Sequence, residues 1–312
     1  MVKYVLTATA LKAFSATPLT RRVYRSFGNS AGGKKRATEK APEYYFERVN
    51  RMLALNRRFG FPKDGDRFLE LGTGWMHWEA LTTRLFFDIE GVLFDVWDNR
   101  QMSGLQNYIG QLEKRIDKLE ATDQQKKRAA QWIPKIKQAQ TFEDLYKLLG
   151  FTYIIEESGT LDKLPRSSFD VVVSAGVFEH IQASIVPGFV KGIGAALKPG
   201  GHSFHSINIR DHLYLYDRTA NAKQYLQYSD QTWERWFENE VQYINRIQRP
   251  EWLDIFQKAG LELVDEEVQS EDLSSLTVAE QYRHYDPLSL GCGGLVLTHR
   301  KPMTNGTNGS HA

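Results

Sequence analysis

The sequence predicts an α/β protein: a Rossmann-like, seven-stranded, mostly parallel sheet with helices on both faces. Two observations predict it. Short apolar runs alternate with helical patterns over most of the 312 residues, as in sheets whose parallel strands are joined by crossover helices. The first of these runs, Phe68-Leu69-Glu70-Leu71, passes directly into Gly72-Thr73-Gly74-Trp75. Glycines there allow a sharp turn out of the strand and a close approach of backbone to a ligand. A hydrophobic fraction of 41% against 25% charged is enough to bury a substantial core.

The elements follow in order. Residues 1–60 form a basic and helical extension. The first 38 positions carry eight lysines and arginines and no acid. That pattern suits a basic helix over about residues 11–27, docked on the body or on an acidic partner, or else an organelle-targeting segment. Residues 41–59, with Tyr45, Phe46, Val49, Met52 and Leu53, make an amphipathic helix. Strands are expected at 67–71, 91–96, 151–156, 169–174 and 202–209, with two more near 261–268 and 294–299. Residues 100–149 read as a long charged helical insertion, either a solvated hairpin or an interaction or lid surface. Residues 210–250 form an aromatic-rich cap over the sheet edge. Over 251–260, Pro250 opens a helix, Trp252, Ile255, Phe256 and Ala259 supply its apolar stripe, and Gly260 stops it. The main domain is thus 61–302, and 303–312 a disordered tail.

Composition narrows the function classes. A net charge of +2 and a pI near 8.4 are too mild for a dedicated nucleic-acid surface. The single cysteine, Cys292, excludes a disulfide framework and a cysteine-built zinc site, and fits a reducing compartment. No apolar run reaches the roughly 18 residues of a membrane span, so the expectation is a soluble, cytoplasmic protein, its oligomeric state left open.

Four segments in order resemble the class I S-adenosylmethionine-dependent methyltransferase superfamily, in its type 11-like form. Glu70-x-Gly72-x-Gly74 is similar to that family's first motif, and Asp95 at the end of the next strand to its ribose-binding acid. Ser168-Phe169-Asp170-Val171-Val172-Val173-Ser174, followed by Val177-Phe178-Glu179-His180-Ile181, resembles its fourth-strand region. Leu197-Lys198-Pro199-Gly200-Gly201 resembles the turn before its fifth strand. The resemblance spans about residues 65–210. It implies S-adenosylmethionine as cofactor, held by Glu70, Gly72, Thr73, Gly74, Asp95, Thr160, Leu161 and Ala175. Asp98 is the fallback for Asp95, with a helix N-cap as the other reading of both.

Methyl transfer from a sulfonium is an in-line displacement. The acceptor's lone pair must be aligned with the methyl carbon, and a hydroxyl or ammonium must also lose a proton. His212 and Asp211, just beyond the fifth strand, are the preferred base or substrate anchor, and His180 after the fourth contacts cofactor or substrate or packs at a helix start. Tyr225, Tyr228 and Arg210 are expected at the acceptor. His202 and His205 point to opposite faces of one strand and cannot share a metal, and no metal site is expected. The favoured function is methyl transfer to an oxygen, nitrogen or sulfur of a small molecule. The alternatives are an RNA or protein methyltransferase and a non-catalytic cofactor- or partner-binding relative. A nicotinamide oxidoreductase is disfavoured by His77, where a third glycine or alanine is wanted, and by Glu70 beside a phosphate site.

Overall fold

The computed structural model describes residues 1–303. Seven strands form one sheet: β1 (Arg67–Leu71), β2 (Glu90–Asp95), β3 (Thr152–Ile155), β4 (Phe169–Ala175), β5 (Leu197–Asn208), β6 (Glu262–Ser270) and β7 (Cys292–Arg300), in the order β3-β2-β1-β4-β5-β7-β6. The first five are mutually parallel; β7 runs antiparallel to both β5 and β6. All seven expected strands are present. The tail expected over 303–312 lies, from residue 304 on, outside the described residues.

Strand alternation sorts the core into two layers. Phe68, Val171 and Val173 face a core built with the helices α3 (Glu43–Phe59), α4 (Trp78–Phe86), α5 (Met102–Glu113), α6 (Asp123–Gln138) and α7 (Phe142–Leu149). Leu69, Leu71 and Val172 face the other core, built with α1 (Val2–Ser15), α8 (Val186–Ala196), α9 (Asp230–Trp236) and α10 (Arg249–Lys258). A short α11 (Pro287–Gly291) precedes β7. His202 stacks on Phe61 while His205 packs edge-on to Phe178, so the two histidines do leave β5 on opposite faces.

Three expectations change. The basic helix is two helices, α1 and α2 (Pro18–Thr38), because the Thr17 side chain caps the amide of Thr20 and Pro18 opens a new first turn. The insertion is no solvated hairpin: Leu105, Ile109, Leu112, Ile133 and Ile136 are fully buried in the first core. The Leu197–Gly201 turn is a bulged start of β5, where the pairing with β4 jumps from Leu197 to His202.

Candidate functional site

The site is assembled at the C-terminal ends of β1, β2 and β4, the edge at which parallel sheets of this kind present ligand crevices. Beyond Leu71 the chain turns through Gly72 and Gly74, both left-handed at φ 65° and 59°. A Cβ on Gly72 would stand 2.4 Å from Val177 Cγ2, so the loops leaving β1 and β4 touch where only a hydrogen fits. His77, the residue that caps α4, takes a left-handed φ of 50° without being glycine. Its ring is buried, with Nε2 2.9 Å from the Tyr146 hydroxyl, and burial pushes its pKa down to about 3.

Asp95 fastens this loop to the next. Its Oδ2 accepts the Gly74 amide at 2.8 Å and its Oδ1 the Val96 amide at 2.7 Å. Burial raises its pKa against those hydrogen bonds, which lower it. Asp98 instead pairs with Arg100 at 2.7 Å, so Asp95 is the carboxylate at the cavity wall.

A cavity of about 700 Å³ opens over these loops, lined by residues 72–76, 95–97, 157–159, 175–177 and His180. Gly72, Thr73, Gly74, Asp95 and Ala175 stand there as expected. Glu70 does not. Its Oε2 accepts the Ala80 amide at 2.7 Å beneath the loop, beside Glu79, whose carboxylate is bound by Arg48. Burial and the Glu79 charge push the pKa of Glu70 up; it braces α4 against β1. Thr160 and Leu161 also fall outside the cavity, Thr160 in solvent and Leu161 packed on Gly192; Glu157, Ser158 and Gly159 take that wall.

The residues expected at the acceptor divide in the same way. His180 lines the cavity. Its Nδ1 lies 2.8 Å from the Tyr243 carbonyl, which can only accept, so Nδ1 carries the proton and the neutral ring holds its lone pair on Nε2. His212 sits behind it, ring centroids 4.9 Å apart, and does not line the cavity. Asp211 is fully buried, accepting from the Tyr4 hydroxyl and the Leu213 amide. Tyr225 donates to the Ile209 carbonyl and accepts from Gln248, Tyr228 packs on Phe237, and Arg210 is held by Glu271. None of these four lines the cavity; their partners hold them in the packing behind it.

Glu179, His180 and His212 are the one trio of potential metal ligands among the described residues, their ligand atoms within 4.8 Å of one another. The hydrogen bonding suits proton handling better than a cation. The Asn208 amide, oriented by the Arg210 N–H on its Oδ1, offers its NH₂ to His212 Nε2 at 3.3 Å. That occupies the lone pair and leaves a proton on Nδ1, which has no partner among the described residues. Burial pushes the pKa of His212 down to about 3 and that of Glu179 up.

Several cavity residues carried no signal in the sequence. Tyr45 and Arg48 reach it from α3, Trp75 and Trp97 form its rim, and Gln182 and Val241 close its far side. The helical period of α3 could have put Tyr45 and Arg48 on one face, but nothing local says which face meets the sheet.

Residues 37–266 match a family described as a methyltransferase domain. No curated protein matches the chain. Among solved structures, one chain of the Haloferax volcanii complex between the Trm112 methyltransferase activator and a protein described there as a methyltransferase aligns at 16% identity and TM-score 0.42, covering 85% of this chain and 100% of that one. Phosphoethanolamine N-methyltransferase 2 of Haemonchus contortus, with phosphomonomethylethanolamine and S-adenosylhomocysteine, aligns at 16% identity and TM-score 0.46 over 81% of this chain and 53% of that one. The 1,6-didemethyltoxoflavin-N1-methyltransferase of Burkholderia thailandensis aligns at 15% identity and TM-score 0.47, over 90% and 87%.

Proposed function

We propose, from the premise that this chain belongs to the methyltransferase-domain family of the class I S-adenosylmethionine-dependent superfamily, that it methylates an oxygen, nitrogen or sulfur of a small-molecule acceptor. The observation that carries this reading is the cavity of about 700 Å³ that runs from the Gly72–Gly74 turn to His180. Its size falls within the ~300–1,000 Å³ of small-molecule sites. S-adenosylmethionine supplies an electrophilic methyl group on a sulfonium.

The residues present fit that cofactor. The side-chain-free turn at Gly72 and Gly74 leaves room for its methionine part, and Asp95 stands at the wall where a carboxylate can accept from ribose hydroxyls. Ser158 and Gly159 offer backbone groups on the adenine side, while Trp75 and Trp97 narrow the mouth. His180, with its Nε2 lone pair, is the group placed to take a proton from a hydroxyl or ammonium acceptor. His212, neutral and buried behind it, holds the pair in place.

The test is transfer of a labelled methyl group from S-adenosylmethionine into fractionated cell extract, with mass identification of the product and Asp95→Ala as control. A labelled small molecule, absent with the variant, is the expected result. Label in RNA or protein would replace the small-molecule reading. Cofactor binding without transfer to any fraction would favour a non-catalytic relative.

A further inference from the structure

The first 38 residues, with eight lysines and arginines and no acid, fold as α1 and α2. Helix α1 is apolar on two faces. Tyr4, Ala8 and Leu11 are buried against the body, while Val2, Val5 and Leu6 are exposed, Val2 at 77% and Leu6 at 65%. A helix apolar on both sides belongs between two apolar phases, and the protein supplies one. Helix α2 has no buried residue. On one side Arg25 lies over Trp97, Arg36 over Trp75, and Asn29 bonds to Asn99. On the other Leu19, Val23 and Phe27, spaced i, i+4, i+8, are exposed at 71%, 54% and 76%. Eight of the twenty exposed large apolar residues among those described lie in the first 27 positions. This is a concentrated patch, not the ordinary scatter of surface apolar groups. Trp236, 59% exposed, stands next to it, because Lys12 caps the carbonyls of Glu234 and Arg235. Lys3, Arg22 and Lys34 make no ion pair among the described residues.

We propose that α1 and α2 form a docking surface for an anionic phospholipid bilayer: their exposed apolar residues enter the headgroup–acyl boundary, and Lys3, Arg22 and Lys34 meet the lipid phosphates. No described helix is long and apolar enough to cross a membrane, so the helices lie on the surface, as basic amphipathic helices do. Charge argues against the other occupants. A second copy would bring two acid-free basic surfaces together, and nucleic acid would meet bulky apolar side chains where it needs a cationic stripe. A cleavable leader would not bury Tyr4 against Asp211. The inner side of α2 rests on Trp75, Trp97 and Asn99, which line the cavity, so docking sets the rim of the site beside the bilayer.

The experiment is co-sedimentation of the purified full chain with vesicles of phosphatidylcholine alone or of phosphatidylcholine and phosphatidylserine at about 3:1. Binding to the anionic vesicles is expected, weakened at least about tenfold on neutral vesicles and about tenfold by Val23→Asp with Phe27→Glu. Cofactor affinity, read separately, reports that the variant is folded; if it were lost, Arg22→Glu with Lys34→Glu asks the same question through exposed charges. Absence of binding, equal binding to both vesicle types, or binding unchanged by the substitutions overturns the proposal. So does self-association in light scattering that the Val23→Asp, Phe27→Glu variant abolishes without vesicles, which would make the patch an interface between copies.

Discussion

The Tyr4 hydroxyl donates to Asp211 Oδ2 at 2.5 Å, across 207 positions of sequence. Both groups are buried, and the other oxygen of Asp211 accepts the Leu213 amide. The bond ties α1 to the turn that follows β5 and commits Asp211 to the packing behind the cavity. Tyr4→Phe removes a donor from a buried carboxylate and should destabilise the fold by about 1.5–3 kcal/mol, the range for hydrogen bonds to charged groups, read as a lower urea midpoint at unchanged m-value. Asp211→Asn should leave methyl transfer within about threefold of the parent. A loss of orders of magnitude with the fold intact would return Asp211 to the reaction.

Gly72 and Asp95 separate steric from polar recognition of the cofactor. Gly72→Ala places a Cβ 2.4 Å from Val177 Cγ2 at a φ of 65°, so the β1 and β4 loops must part. Cofactor binding should be abolished and the melting temperature lowered. Asp95→Asn keeps the size but replaces one accepting oxygen with an NH₂ that faces a loop amide; about a tenfold loss of affinity, ~1.4 kcal/mol, is expected by calorimetry, with a smaller fall in melting temperature than for Gly72→Ala. Wild-type affinity in both variants would remove the cofactor from this cavity.

What the sequence made legible follows from what is local. Parallel strands buried on both faces are largely apolar runs, and turns that need a left-handed φ announce themselves as glycine, so β1, β2, β4 and the Gly72–Gly74 turn are the most legible parts. The orientation of Glu70 follows from strand alternation alone: it shares the strand face of Phe68, which packs on the α4 side, and not that of Leu69 and Leu71. The break at Thr17-Pro18 was a standard cap signal inside what looked like one basic helix. Tyr225 and Asp211 could not be placed, since their partners, the Ile209 carbonyl and the Tyr4 hydroxyl, are fixed only by the tertiary fold.

His180 and His212 make opposite demands on kinetics. His180 reaches the cavity with Nδ1 held by the Tyr243 carbonyl and Nε2 free of any protein partner among the described residues, whereas His212 lies behind it with Nε2 taken by Asn208. For a hydroxyl or ammonium acceptor, His180→Ala should lower kcat by about 10²–10⁴ with cofactor affinity unchanged. His212→Asn should act through placement, with a smaller loss. Stopped-turnover rates with saturating cofactor decide between them; equal losses in both variants would make the pair a single unit.

Among the buried groups that shape acid stability, His299 and Asp211 act with opposite sign. His299 lies flat on Phe256, ring centroids 4.3 Å apart, and burial pushes its pKa from 6.5 down to about 4. Between those values the unfolded chain binds a proton that the folded one refuses, so about 3 kcal/mol of stability is lost as pH falls through that window. Burial pushes Asp211 from 3.8 up to about 6. Here the folded state binds the proton first, and stability of similar size is gained as pH falls from about 6 towards 3.8. His299→Phe keeps the stack and sacrifices no bond at Nδ1, which has no partner among the described residues. It should flatten the acid-side loss in urea unfolding measured from pH 7 to pH 4.5, while Asp211→Asn should steepen it. Parallel stability profiles for the two variants would show that neither group titrates as its burial requires.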